Sequence, residues 1–110
     1  MYTGATVPFY LAKQRSLHFK RHGHEFGAAD EFEYERLADA FMSCPLDAQM
    51  LERTRATGDR DRLRLHIVSR HFGVSCDVLT IKTYFVVTIS KFVRDGGALG
   101  YIEARCAEVR

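Results

Sequence analysis

The hydrophobic repeat of this chain changes near Cys44, and that change restricts the fold more than any single motif does. Up to Met42 the apolar residues keep helical spacing: Tyr34, Leu37, Ala38 and Phe41 return every three or four residues and form one stripe. Beyond Cys44 the period becomes two. Leu63, Leu65 and Ile67 alternate with Arg64 and His66, then Phe72, Val74 and Cys76 alternate, and Leu79–Ile89 is a long β-branched and aromatic run. Connections as short as Val68–His71 and Asp77–Val78 suit antiparallel hairpins. Helices first and consecutive strands later predict an α+β fold. N-terminal helices would pack on one face of an antiparallel sheet of about three to four strands, with a short closing helix within Ala98–Val109.

Punctuation residues supply the boundaries. Met1–Pro8 reads as a loose lead-in, and helical spacing starts near Phe9 and stops at Gly23. Ala28–Met42 is the strongest helix, with Asp30 as N-cap, acidic residues at its positive end, and Pro45 beyond its last turn. Thr57-Gly58-Asp59 is a turn signal, and Asp95-Gly96-Gly97 breaks the strand run. At 110 residues, 1–110 is read as a single domain.

Composition narrows the class. With 46% hydrophobic and 27% charged residues the chain has a globular balance, which argues against wholesale disorder. Cys44, Cys76 and Cys106 are odd in number and widely spaced, so neither a disulfide scaffold nor a four-cysteine zinc site is expected. No secretory signal and no membrane-spanning run is read, and the expected site of action is the cytoplasm, with no membrane partner. A net charge of +2 is too small to name a partner. Its distribution says more: Lys13–His24 holds no acidic residue, Glu25–Asp39 is mostly acidic, and Arg53–Arg70 is again basic.

Three segments hold residues suited to chemistry. Leu17–Gly27 reads LHFKRHGHEFG. Histidine titrates near neutral pH and can take and return a proton in one cycle. Cleaving RNA without a metal needs a base for the 2′-hydroxyl, an acid for the leaving 5′-oxygen, and a cation against the developing phosphorane charge. His22 and His18 are candidates for proton transfer, and Arg21 and Lys20 for the cation; the segment reads equally well as a solvated basic helix. His18 and His22 also have zinc-ligand spacing, but Phe19 stands where an HExxH motif needs glutamate, so no metal is expected. In the second segment, Arg53–Arg64, Arg55 and Arg62 are candidates for phosphate binding. Arg62 and Arg64 would share the sheet face opposite Leu63 and Leu65. The third is IKTYF, Ile81–Phe85. Strict alternation puts Lys82 and Tyr84 on one face, for phosphate and base, and Thr83 on the other, where its hydroxyl could donate to a phosphate oxygen.

Taken in order, these segments resemble a known family. The pattern comprises His18-Phe19, Arg21-His22-Gly23 and Glu25-Phe26-Gly27, then Glu33-Tyr34 with Ala38, and Gly58-Asp59 with Arg62. Phe72-Gly73-Val74, Ile81 with Thr83-Tyr84-Phe85, and Gly97 with Tyr101 complete it. It is similar to the barnase–EndoU–colicin–RelE-like nucleases found as C-terminal toxin domains in bacterial polymorphic toxin and phage-associated proteins. The resemblance implies helices packed on an antiparallel sheet and a cofactor-free, metal-independent endoribonuclease. Such an enzyme, often aimed at tRNA, would leave a 2′,3′-cyclic phosphate and be neutralised by a cognate immunity protein. It implies catalytic roles for His22 with Arg21 beside it, and for Thr83 and Tyr84, with His18 and Arg62 in support. Where the family usually has lysine, Arg21 keeps the charge but cannot serve as a base. Two other functions are compatible with the same residues: a non-catalytic RNA- or protein-binding module, and a metal-dependent DNase.

Overall fold

The computed structural model describes Phe9 and residues 11–55, 60–76 and 80–108. The expected lead-in at Met1–Pro8, the Thr57-Gly58-Asp59 turn and the Asp77-Val78-Leu79 connection lie outside the described residues. Helix α1 (Ala12–His22) runs into a 3-10 turn (Gly23–Phe26) and is followed by α2 (Glu31–Ser43). Strands β1 (Met50–Thr54), β2 (Arg62–His66), β3 (His71–Ser75) and β4 (Ile81–Val86) come next, and α3 (Ile89–Arg94) and α4 (Gly97–Cys106) close the chain. The strands form one antiparallel sheet in the order β1-β2-β3-β4. This is the α+β fold that the change of period predicts.

The cap of α2 has the expected form. Asp30 has extended backbone, and its side chain accepts from the Glu33 amide at 2.8 Å. Glu33 in turn accepts from the Ala29 amide at 2.8 Å. Gly23 ends α1, but the left-handed residue that reverses the chain is Gly27, with φ of 66° after the 3-10 turn.

Three features differ from expectation. Strand β1 carries no strong alternation in its sequence, MLERT, and exists because β2 pairs with it from Met50↔His66 to Thr54↔Arg62. The run Leu79–Ile89 does not stay extended to its end: β4 stops at Val86, and the Thr88 hydroxyl caps α3 at the Lys91 amide. Helices also cover both faces of the sheet rather than one. On the first face, Tyr34, Ala38, Phe41 and Met42 of α2 pack with Phe9, Ile81 and Tyr84. On the second, Leu63, Leu65, Phe72 and Val74 pack with Val87 and with Tyr101 and Ile102 of α4.

The register explains this division. Leu51, Leu65, Phe72 and Phe85 form one cross-strand row, which belongs to the α4 side. The adjoining row, Glu52, Arg64, Gly73 and Tyr84, faces α2. Gly73 is needed there because a Cβ would stand 2.5 Å from the Met42 sulfur. Arg64 is buried in the same row. It pairs with Glu52 at 2.9 Å and donates to the carbonyls of Phe41 (3.0 Å) and Cys44 (2.5 Å), closing the open C-terminal end of α2.

Helix α1 lies against β4, the edge strand, and buries no residue completely. Phe9 forms a parallel bridge with Ile81 on that edge. Further along it, the Glu25 carboxylate accepts from the Val86 amide at 2.7 Å. Such contacts occupy backbone groups that an edge would otherwise present to another chain. Among the described residues no helix is long and apolar enough to cross a membrane.

Candidate functional site

One irregularity in β4 builds the site. Ser75 pairs with Ile81, but its neighbour Val74 pairs with Thr83, so β4 holds one extra residue, Lys82. A bulge of this kind breaks strict alternation and re-aims side chains. Ile81 and Tyr84 therefore both reach the α2 core across two intervening residues. Lys82 and Thr83 are left together in a cleft that also contains residues of the α4 side. The expectation that Lys82 shares a face with Tyr84 is thus corrected, whereas the separation of Thr83 from Tyr84 holds.

The cleft encloses about 340 Å³, within the range of roughly 300–1,000 Å³ typical of ligand pockets. Phe72, Val74, Thr83 and Phe85 give it a floor from β3 and β4. His18 of α1 lines it as well, as do Arg55, Asp61 and Lys82, and Arg105 and Glu108 from the end of α4. A buried ion pair organises the charged part. Arg55 binds Asp61 at 2.5 Å and the Arg105 carbonyl at 2.8 Å, and Lys82 reaches the other Asp61 oxygen at 2.9 Å. Arg55 Nε is buried with no hydrogen-bond partner. The Arg55 guanidinium thus stands at the cleft wall with its charge shared with Asp61.

His18 lines the cleft from α1. It is half-buried, with its ring stacked 5.6 Å from Phe9 and 6.3 Å from His22. Burial, then the charges of His22 and Arg21, hold its pKa below 6.5, so the imidazole is neutral at pH 7. Its Nδ1 is buried without a hydrogen-bond partner. His22 borders the cleft without lining it: its ring is 5.3 Å from the Phe85 ring, and its Nδ1 lies 2.7 Å from Glu25.

The structure therefore gathers His18, Thr83, Lys82 and Arg55 of the expected residues, with His22 alongside. Two others stand elsewhere. Tyr84 is buried on the α2 side, stacked on Phe26 at 4.0 Å, and its backbone carbonyl accepts from the Tyr34 hydroxyl. Burial raises its pKa, so neither access nor acidity suits it to proton transfer. Arg62 pairs with Glu52 at 2.9 Å in the ion-pair cluster that holds Arg64, also away from the cleft. Arg21 and Lys20 are exposed on the last turn of α1.

The sequence assigns no site role to Asp61 or Arg105, and it holds Glu25 and Phe85 only as positions of the family pattern. Phe85 was accessible in principle, being two residues from Thr83 on one strand. Asp61 and Arg105 come together only through the β1–β2 hairpin and the end of α4. Among the described residues no group of three or more His, Cys, Asp or Glu side chains is placed to hold a metal ion. Compared with protein families and with curated proteins, this chain has no match.

Proposed function

We propose that this chain is a metal-independent endoribonuclease of the barnase–EndoU–colicin–RelE-like toxin kind, with its cleavage centre at His18 rather than at Tyr84 and Arg62. The observation that carries the proposal is the neutral, half-buried His18 in one cleft with Lys82, Thr83 and Arg55. A base and a phosphate cradle are the two parts that 2′-hydroxyl attack requires. His18 accepts the 2′-hydroxyl proton while that oxygen forms a bond to the adjacent phosphorus. The bond from phosphorus to the 5′-oxygen breaks, and His22 in its imidazolium form gives the leaving oxygen a proton. The products are a 2′,3′-cyclic phosphate and a 5′-hydroxyl. Lys82 and Arg55 meet the phosphorane charge, Thr83 donates to a phosphate oxygen, and Arg21 and Lys20 attract the strand from outside. RNA, tRNA included, is the proposed substrate, and a cognate immunity protein is the proposed inhibitor.

The ion pairs of Asp61 with Arg55 and Lys82 favour a second reading, a non-catalytic RNA- or protein-binding module, because part of the cationic charge is already neutralised. One experiment separates the two. Purified chain is incubated with bulk tRNA in EDTA beside His18→Ala, and the new ends are mapped. Cyclic-phosphate ends produced by wild type and lost in the variant support the nuclease. Salt-sensitive binding without new ends supports the module, tRNA cleavage that needs added divalent metal supports a metal-dependent RNase, and plasmid nicking that needs added Mg²⁺ or Zn²⁺ supports a DNase.

A further inference from the structure

We infer that Glu25 is the positioning residue that dictates the tautomer of His22, holding a proton on Nδ1 in the neutral ring so that Nε2 is the nitrogen that exchanges protons with a ligand. The geometry stands apart from the nuclease reading; its consequence for cleavage rests on that reading. Glu25 has a carboxylate with two engaged oxygens. One accepts from the Val86 amide at 2.7 Å, and the other lies 2.7 Å from His22 Nδ1. The Val86 amide can only donate, so it anchors the carboxylate to the β4 edge irrespective of protonation. The second oxygen then faces the imidazole as an acceptor. An imidazole beside a carboxylate oxygen keeps its proton on the nitrogen that faces it, and the opposite nitrogen becomes the reactive one. Both side chains are about three-quarters shielded from solvent, with exposures of 26% for His22 and 24% for Glu25, so water does not readily replace the contact. Phe85 packs against the same ring and limits its rotation. The motif Glu25-Phe26-Gly27 thus has a division of labour: Glu25 orients His22, Phe26 stacks on Tyr84, and Gly27 turns the chain back toward α2.

Glu25→Gln is the discriminating substitution. Glutamine offers one acceptor oxygen where glutamate offers two. The fixed Val86 donor claims that oxygen, so the amide NH₂ turns toward His22 Nδ1 and makes it an acceptor. The backbone anchor survives, but the proton moves to Nε2. The tautomer is read on the full chain by long-range ¹H–¹⁵N NMR of the imidazoles at about pH 8, where free histidine is neutral. The expected result is an Nδ1–H His22 in wild type and an Nε2–H His22 in the variant, with tRNA cleavage in EDTA falling on the order of 10²-fold or more. An Nε2–H His22 in wild type overturns the inference without any variant. So does Glu25→Gln that keeps the Nδ1–H form; a variant that flips the tautomer yet cleaves at the wild-type rate overturns only the role of that tautomer in cleavage. If wild type cleaves no RNA, the nuclease reading fails while the two tautomer measurements still decide whether Glu25 sets His22.

Discussion

The two faces of the sheet use the same kinds of side chain to opposite ends. Toward α2, an arginine, a tyrosine and a histidine are all spent on packing. Arg64 closes the end of α2, Tyr84 stacks on Phe26, and His71 meets Phe26 edge-on at 4.8 Å. Toward the cleft, Arg55 keeps a buried donor without a partner, Thr83 lines open space, and His18 has a buried nitrogen without a partner. Residue type therefore did not separate structural from chemical positions in this molecule. Among these six residues, only Arg55 and His18 keep a buried polar atom without a partner.

That contrast can be broken most severely at His18. On the proposed nuclease reading, His18→Ala is expected to lower tRNA cleavage by about 10²–10⁴-fold, the usual loss for a general acid–base group. Tyr84→Phe is expected to leave the rate unchanged, because the phenol lies on the far side of the sheet. Initial rates for both variants decide the matter, and an inactive Tyr84→Phe that melts like wild type would reverse the assignment of the two faces.

The next effect concerns stability rather than rate. Arg64→Met should reduce the free energy of unfolding by about 3 kcal/mol, since it strands the Phe41 and Cys44 carbonyls and leaves Glu52 with Arg62 alone. Urea denaturation measures the loss, and cleavage by the folded fraction should persist. A substitution at Arg64 that abolishes cleavage without lowering stability would show that the α2 face is not merely structural.

A smaller effect is expected at Lys82. Lys82→Gln should weaken RNA binding and reduce the salt dependence of the binding constant by about one unit of slope, without sequence preference. Titration at several salt concentrations tests this. An unchanged slope would mean that Asp61 keeps Lys82 to itself even when RNA is present.

The smallest effect is on pH dependence. Burial is the largest cause lowering the pKa of both His18 and His71 from 6.5. In the window between their lowered folded values and about 6.5, the unfolded chain binds more protons than the folded one. Stability should therefore rise with pH through that window and level off above it, as melting temperatures across the range would record. His71→Gln should flatten the profile and spare cleavage, whereas His18→Gln should flatten it and remove cleavage. Equal profiles in all three proteins would mean that neither histidine is buried as described.

Much of the fold was legible in the residues. The change from a period near 3.6 to a period of two marks where helix gives way to sheet. Asp30 capped the helix it was expected to cap, and Leu63, Leu65, Phe72 and Val74 are core as their alternation implies. The site was legible only in part. The histidine segment, Thr83, Lys82 and Arg55 are near one another, but alternation misplaced Lys82, and Tyr84 and Arg62 stand outside the cleft.

Local patterning thus settled which segments are helical or extended and which side chains seek a core, because these depend on neighbours within a turn or along one strand. Tertiary structure decided the rest. The second helical layer fixed which face Arg64 and Tyr84 had to fill, a single extra residue in β4 moved Lys82 into the cleft, and contacts from Asp61 and Arg105 gave Arg55 its orientation. The physical reason is one of distance: hydrogen-bond satisfaction is settled between residues far apart in the chain, such as Glu25 and Val86, and no local repeat records it.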